Sequence, residues 1–197
     1  MTKQYDHEYF EKWYRSRAHR VHEKGEVRRK VGLAIATAEY FLHRPIESVL
    51  DVGCGEGAWY THLRALRRGA KYAGIDASDY VVERFGAERN IVKGSFGDLR
   101  ARDGVYDLVV CSDVLHYLSE RELRRGLPHL ARLTEGIAFI EVLTNEDEII
   151  GDVEGLIRRP TDWYRRLFKK AGFVQAGPYC WLPRSMQAFA AELEIVR

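Results

Sequence analysis

The stretch VLDVGCGEGAW, residues 49–59, carries an apolar run into Asp51 and then sets glycines at 53, 55 and 57. The apolar run reads as a buried strand, and the apolar spacing over residues 58–68 reads as a helix. Glycines at alternate positions let the backbone pass close to a ligand. A plain strand-to-helix turn would use the same glycines. The residues also satisfy the dinucleotide pattern GxGxxG/A through Gly53, Gly55 and Ala58, so the turn alone leaves its ligand open.

Outward from this turn, strand and helix signals alternate. KYAGIDAS (71–78) predicts a second strand, and Ser78 caps a helix reaching about residue 88. NIVKGS (90–95) predicts a third strand, and YDLVVCSDVL (106–115) a fourth that is buried on both faces. Ser119 and Glu122 make a capping-box pattern that opens a helix over 119–133. EGIAFIEVL (135–143) is the fifth strand. An irregular stretch over 144–160 precedes a helix over TDWYRRLFKKAG (161–172). FVQAGPYCWLP (173–183) and MQAFAAELEIV (186–196) read as two last strands joined by a short turn, hence antiparallel.

Ahead of this alternation, residues 1–44 read as an N-terminal helical arm or cap, and residues 45–197 as the main domain. In the arm, Tyr5, Tyr9, Phe10, Trp13 and Tyr14 spread over half of a helix, and a second helix is expected over 27–43. Strands alternating with helices imply an α/β fold, a mostly parallel sheet covered on both sides. Such sheets bind ligands beyond the carboxyl ends of their strands.

Composition narrows the function classes. The chain has 197 residues, with 31 basic and 29 acidic side chains and a net charge of +2, which argues against the dense positive field of a dedicated nucleic-acid binder. Three cysteines, at 54, 111 and 180, have no CxxC spacing, so neither a disulfide framework nor a metal site is expected. A reducing cytoplasm is the expected location. The start of the sequence is charged and lacks an apolar signal core. The longest apolar run is about a dozen residues and contains Glu39, which is too short to span a membrane.

Asp51 separates the candidate ligands. A dinucleotide would set its pyrophosphate at the helix N-terminus beside this turn. A carboxylate two residues before the first glycine opposes that anion, and two unit charges about 5 Å apart at an effective dielectric of 20 repel by about 3 kcal/mol. A ligand without phosphate and with an ammonium group turns the same carboxylate into an attraction. Asp76 follows Gly55 by 21 residues, where a carboxylate accepts from ribose hydroxyls in either case.

Taken together, VLDVGCGEGAW, AGIDAS, DLVVCSDVLHYL and AGF resemble the successive motifs of class I S-adenosylmethionine-dependent methyltransferases, over roughly residues 46–196. The resemblance implies a Rossmann-like three-layer sandwich with a seven-stranded, mostly parallel sheet and a C-terminal antiparallel strand pair. It implies S-adenosyl-L-methionine as cofactor and S-adenosyl-L-homocysteine as product. Asp51, Gly53, Cys54 and Gly55 would hold the methionine portion, and Asp76 the ribose, with Ala77 or Ser78 beside the adenine. Where such enzymes often carry GDA after the third strand, this chain has GSFGDL. Ser95 stands at the acidic position and Phe96 at the next, able to accept a hydrogen bond and to stack on the purine respectively, and Asp98 is a candidate compensating acid. Cys111 reads as a small strand-end residue that touches cofactor through its backbone.

The acceptor is less constrained. His116 and Tyr117 occupy the pair often seen as LHH or LEH in small-molecule enzymes of this kind. His116, with an ordinary pKa near 6.5, is a candidate proton acceptor, or it only packs against cofactor or caps a helix. Arg15, Arg17 and Arg20 are candidates for the cofactor carboxylate. Arg158 and Arg159 suit an anionic acceptor, whereas Glu141 and the acids of 146–148 suit an amine. The motifs of amino-group nucleic-acid methylases (NPPY, DPPY) and the Pro-Cys nucleophile of cytosine C5 enzymes are absent. The leading expectation is N- or O-methylation of a small molecule by a monomer or homodimer, with neither nucleic acid nor membrane as partner. Alternatives are a noncatalytic cofactor-binding module acting through a protein or RNA, an RNA methyltransferase, or an NAD-dependent oxidoreductase.

Overall fold

In the computed structural model of the chain, residues 5–15, 25–100, 104–149 and 151–196 are described. Arg17 and Arg20 lie outside them. Five parallel strands form the heart of the sheet: β1 (Ser48–Val52), β2 (Lys71–Asp76), β3 (Ile91–Lys93), β4 (Tyr106–Ser112) and β5 (Thr134–Glu141). Side chains alternate across these strands, as the two-residue period of a strand requires, and so feed two separate cores. Val49, Leu108, Val110, Ile137 and Phe139 pack on one face, while Leu50, Val109, Cys111, Ala138 and Ile140 pack on the other.

Helices cover each face. On the first lie α2 (Glu26–Leu42), α3 (Ala58–Leu66) and α4 (Asp79–Arg89), which contribute Ala34, Ala38, Leu63 and Val81 to its core. On the second lie α5 (Glu120–Leu133) and α6 (Thr161–Ala171), which contribute Leu123, Leu127, Leu130 and Phe168. Each fully buried leucine of this kind contributes about 1.5–3 kcal/mol. The expected capping box is formed: the Ser119 side chain accepts from the Glu122 N–H, and the Glu122 carboxylate accepts from the Ser119 N–H at 2.9 Å. Ser78 caps α4 by accepting from the Val81 N–H at 3.2 Å.

The sheet runs in the order β3-β2-β1-β4-β5-β7-β6, with β6 (Val174–Gln175) and β7 (Cys180–Leu182) antiparallel. The seven strands and the closing antiparallel pair match the expectation, but the residues of that pair do not. Both strands lie within FVQAGPYCWLP, folded at Gly177 and at Tyr179, whose φ is +58°. Residues 186–196 contain a short 3₁₀ turn, Gln187–Phe189, and pair with the sheet backbone through an isolated bridge from Val196 to Gln175. Phe189 and Leu193 are exposed, so this segment lacks the buried face that would hold it as a strand.

The arm begins with a single helical turn, α1 (His7–Phe10), followed by one π-helical turn, Glu11–Arg15. Phe10 is buried in the first core, and the Ser78 hydroxyl donates to the Tyr5 carbonyl. The arm is thereby fastened over the carboxyl ends of β1 and β2. No helix among the described residues is long and apolar enough to cross a membrane.

Candidate active site

Strand order reverses between β1 and β4, and at that switch point two connected cavities open beyond the strand ends, of about 400 and 370 Å³. They share Tyr14, Lys30, Gly53, Gly55, Ser112 and Asp113. The volumes fall in the range of small-molecule sites.

The glycine turn forms the ridge between them. Gly53 has φ +72°, and a Cβ built there would stand 2.4 Å from Val114 Cγ2. Only glycine fits both constraints. The Gly53 N–H donates to the Ile75 carbonyl at 2.7 Å, which ties the turn to β2. Asp51 and Cys54 line the smaller cavity. Asp51 is 2 % exposed and accepts from the Tyr72 hydroxyl at 2.8 Å. Burial pushes its carboxyl up to about 7, against the lowering effect of the Tyr72 hydrogen bond. Burial likewise pushes the Cys54 thiol far above its ordinary value, so it is no thiolate nucleophile.

Asp76, Ala77, Ser95 and Phe96 line the larger cavity. Asp76 accepts from the Gly55 N–H at 2.8 Å and the Ser78 N–H at 2.9 Å, so its carboxylate is aimed before any ligand arrives. The Ser95 hydroxyl donates to Asp98 at 2.6 Å, and Arg125 holds the other Asp98 oxygen at 3.1 Å. With its proton committed to Asp98, Ser95 offers its oxygen as an acceptor, the capacity a carboxylate would have at that position. Asp98 itself is not among the lining residues. Phe96 is buried in the second core and lies close against Gly126 of α5.

Two expected residues sit away from the cavities. Cys111 is wholly buried in the second core, and the next residue, Ser112, lines both cavities instead. His116 is 1 % exposed and lines neither cavity. Its Nδ1 accepts from the Leu143 N–H at 3.2 Å, which places the proton of the neutral ring on Nε2, 3.9 Å from an Asp113 oxygen. The lone pair of the ring is thus engaged with backbone, and His116 meets the site through its neighbours Asp113 and Tyr117, whose ring lies 4.3 Å away. Tyr117 does line the larger cavity, and its hydroxyl donates to the Asp152 carbonyl at 2.9 Å.

Several lining groups escaped the sequence reading because no single segment contains them. Asp113 lies where the two cavities meet and adopts φ +64°, a left-handed conformation that aspartate tolerates better than most residues. Its N–H donates to the Glu141 carbonyl at 3.1 Å. Lys30 of α2 reaches Glu141 at 2.6 Å and Glu26 at 2.5 Å. Burial lowers the Lys30 pKa, but the bonds to these carboxylates outweigh it and raise the pKa overall. Tyr9 donates to the Asp152 carboxylate at 3.0 Å, so Asp152 joins the arm to the 144–160 stretch. The position of Asp113, just past the end of β4, was the one available signal.

The remaining candidates divide by position. Arg159 donates to the Leu118 carbonyl at 2.8 Å and the Tyr164 hydroxyl at 3.2 Å, and lies over the Trp163 ring. Glu146 accepts from the Thr161 N–H at 2.9 Å at the start of α6, whereas Glu148 lines the larger cavity. Arg15 pairs with Glu56 at the edge of the smaller cavity.

Comparison with known proteins agrees with this geometry. Residues 49–136 match the family described as a methyltransferase domain. An uncharacterized protein of Methanocaldococcus jannaschii is 30% identical over 106 residues, 52% of this chain and 43% of that protein, so the chain spans less than half the length of this relative. The sugar N-methyltransferase KedS8 from Streptoalloteichus superposes with a TM-score of 0.62 at 17% identity, covering 78% of this chain and 86% of that one. A S-adenosylmethionine-dependent methyltransferase from Archaeoglobus fulgidus superposes with a TM-score of 0.61 at 17% identity, covering 85% and 74%. The chain thus has the fold of the S-adenosylmethionine-dependent methyltransferases, and residues 49–136 are similar to a methyltransferase domain.

Proposed function

We propose that this protein transfers a methyl group from S-adenosylmethionine to nitrogen or oxygen of a small-molecule acceptor. The observation that carries the reading is the pairing of two cavities across one glycine ridge, with Asp51 on one side and Asp76 on the other. The donor set fits the cofactor. Asp51 suits the ammonium of its amino-acid end, bare backbone at Gly53 and Gly55 suits close passage of its chain, and Asp76 suits the ribose hydroxyls. Ser95 suits the adenine amino group as a hydrogen-bond acceptor.

When bound, S-adenosylmethionine supplies an already activated methyl group, so the protein needs chiefly to align the two reactants. Alignment of this kind is worth roughly 7–11 kcal/mol. The rigid parts that provide it here are the carboxyl ends of β1, β2 and β4, while Tyr9 of the arm and Asp152 meet over the larger cavity. Tyr117 and Asp113 are the residues that would meet the acceptor, with Tyr117 held in place by Asp152.

Titration calorimetry with S-adenosylhomocysteine is the first test, and micromolar binding is expected. Failure of both cofactor forms to bind removes the reading. Tight NADH binding in their place would point to an oxidoreductase, and salt-sensitive RNA binding to an RNA methylase.

A further inference from the structure

The helices that cover the sheet differ in what they turn to solvent. Glu83 and Arg84 of α4, Arg121 and Arg124 of α5, and Arg165 and Arg166 of α6 are all exposed, as a solvated helix face requires. Helix α2 does otherwise. Its inner side buries Val31, Ala34, Ile35, Ala38 and Phe41, which completes its hold on the sheet. Its outermost residues are Arg29, Leu33, Ala36 and Tyr40, every one exposed, separated by steps of four, three and four. That alternation keeps side chains on one seam and is the spacing by which paired helices meet. The seam is apolar from Leu33 onward. A Cβ built on Gly32, beside it, meets nothing within 4 Å, so a second backbone has room to approach.

The two ends of the seam carry opposite charge. At the start, Arg28 and Arg29 are exposed, and no carboxylate among the described residues pairs with either. At the other end, the Tyr40 hydroxyl donates to the Glu194 carboxylate, which brings the C-terminal segment alongside with Leu193 fully exposed. The bonds from Tyr40 and from the Ala191 N–H hold the Glu194 carboxyl below its ordinary range, so it stays ionised. An apolar centre with a cation at one end and an anion at the other is complementary to itself under a two-fold rotation. A second α2 laid antiparallel, centred midway between Leu33 and Tyr40, sets Leu33 on Tyr40 of the other copy. It also carries Arg29, about 6 Å further along, to the end where Glu194 stands. A parallel arrangement would set Arg29 on Arg29.

We propose that the chain forms a homodimer in which the outer seam of α2, from Arg29 to Tyr40, packs antiparallel against the same seam of a second copy, with Leu193 at its margin. The inference goes beyond the methyltransferase reading and does not depend on it. Each apolar contact occurs twice across the axis, and each Arg29 meets a Glu194. Lys30, the residue after Arg29, lines both cavities, so the pairing braces the helix that walls the site.

Sedimentation equilibrium of the full chain over roughly 1–200 µM tests this, because a dimer of separate chains dissociates on dilution. The expected result is a particle of twice the chain mass, with a dissociation constant within or below that range. Leu33→Glu and Ala36→Glu place carboxylates in the seam and are each expected to weaken association at least tenfold. Both positions are exposed, and unchanged melting curves show that the fold persists. Arg29→Glu is expected to weaken association at least threefold. Adding Glu194→Arg to the same chain should recover that loss, since the exchanged charges meet again across the axis. The native cysteines are buried, so Ala36→Cys supplies an exposed thiol close to the axis and should give an interchain disulfide under mild oxidation. A monomer throughout the range overturns the proposal, whatever other proteins the chain binds. A dimer whose affinity withstands both glutamate substitutions lies on another face and overturns it equally.

Discussion

The Tyr72 hydroxyl donates to the Asp51 carboxylate across 2.8 Å, and both side chains are buried. Residue 51 of β1 lies level with Gly74 of β2, two residues beyond Tyr72, so neighbouring strands deliver acid and phenol to one spot. Burial makes the carboxylate costly, and the phenol offsets only part of that cost.

The first prediction concerns pH. An unfolded aspartate ionises near 3.9, whereas native Asp51 keeps its proton up to about 7. Between these values the native state binds more protons, so the Asp51 contribution to stability falls as pH rises and levels off above 7. Affinity for a ligand ammonium runs the other way, rising as the carboxyl ionises, and should be about tenfold weaker at pH 6 than at pH 8. Asp51→Asn should raise the melting temperature above pH 7, weaken S-adenosylmethionine binding and flatten both pH profiles. Paired melting and titration curves over pH 5–8 check this.

Removing the phenol isolates its share. Tyr72→Phe should cost about 0.5–1.5 kcal/mol of stability. It should also move the pH midpoint of cofactor binding upward, because the hydrogen bond lowers the Asp51 pKa. A midpoint left in place would show that Asp51 does not govern the profile.

Gly53→Ala sets a new methyl group 2.4 Å from Val114 Cγ2 on a backbone with positive φ. The expected loss is about 1–3 kcal/mol, with cofactor affinity reduced at least tenfold. Adding Val114→Ala should recover the steric part of the stability but not the backbone strain. Chemical denaturation of the single and double variants separates the two.

Far from the cavities, Asp107 fastens the start of β4 to β1. Its carboxylate accepts from Arg44 at 2.7 and 3.0 Å and from the Ser48 N–H at 3.2 Å, and it is 2 % exposed. Burial raises its pKa, but Arg44 and the backbone donors prevail and leave it below the ordinary value. The associated stability is therefore present above about pH 4 and lost as pH falls through the native pKa. Asp107→Ala should destabilise by about 1–3 kcal/mol, since the Glu47 and Ser48 N–H groups lose their acceptor while the part-exposed Arg44 turns to solvent. Its acid unfolding should show a shallower dependence on pH.

The parallel sheet was legible because its apolar runs, helix caps and turn residues all agree locally. The misplaced final strand shows where such agreement ends. MQAFAAELEIV is apolar enough to be a strand, but β6 and β7 already complete the sheet within the preceding segment, and the Gly177–Pro178 turn was the sign of it. In the site, the residues of the glycine turn and Asp76 were readable because they follow strands directly. Glu141 was readable as an acid following β5, but Lys30 and Asp152 were not, since α2 and the 144–160 stretch converge there only through tertiary packing.

Tyr9 and Tyr117 share a hold on Asp152. The arm and the turn after β4 therefore meet at a single residue, one through its side chain and the other through its backbone, so Asp152→Ala should release the arm while leaving the anchor of Tyr117 in place.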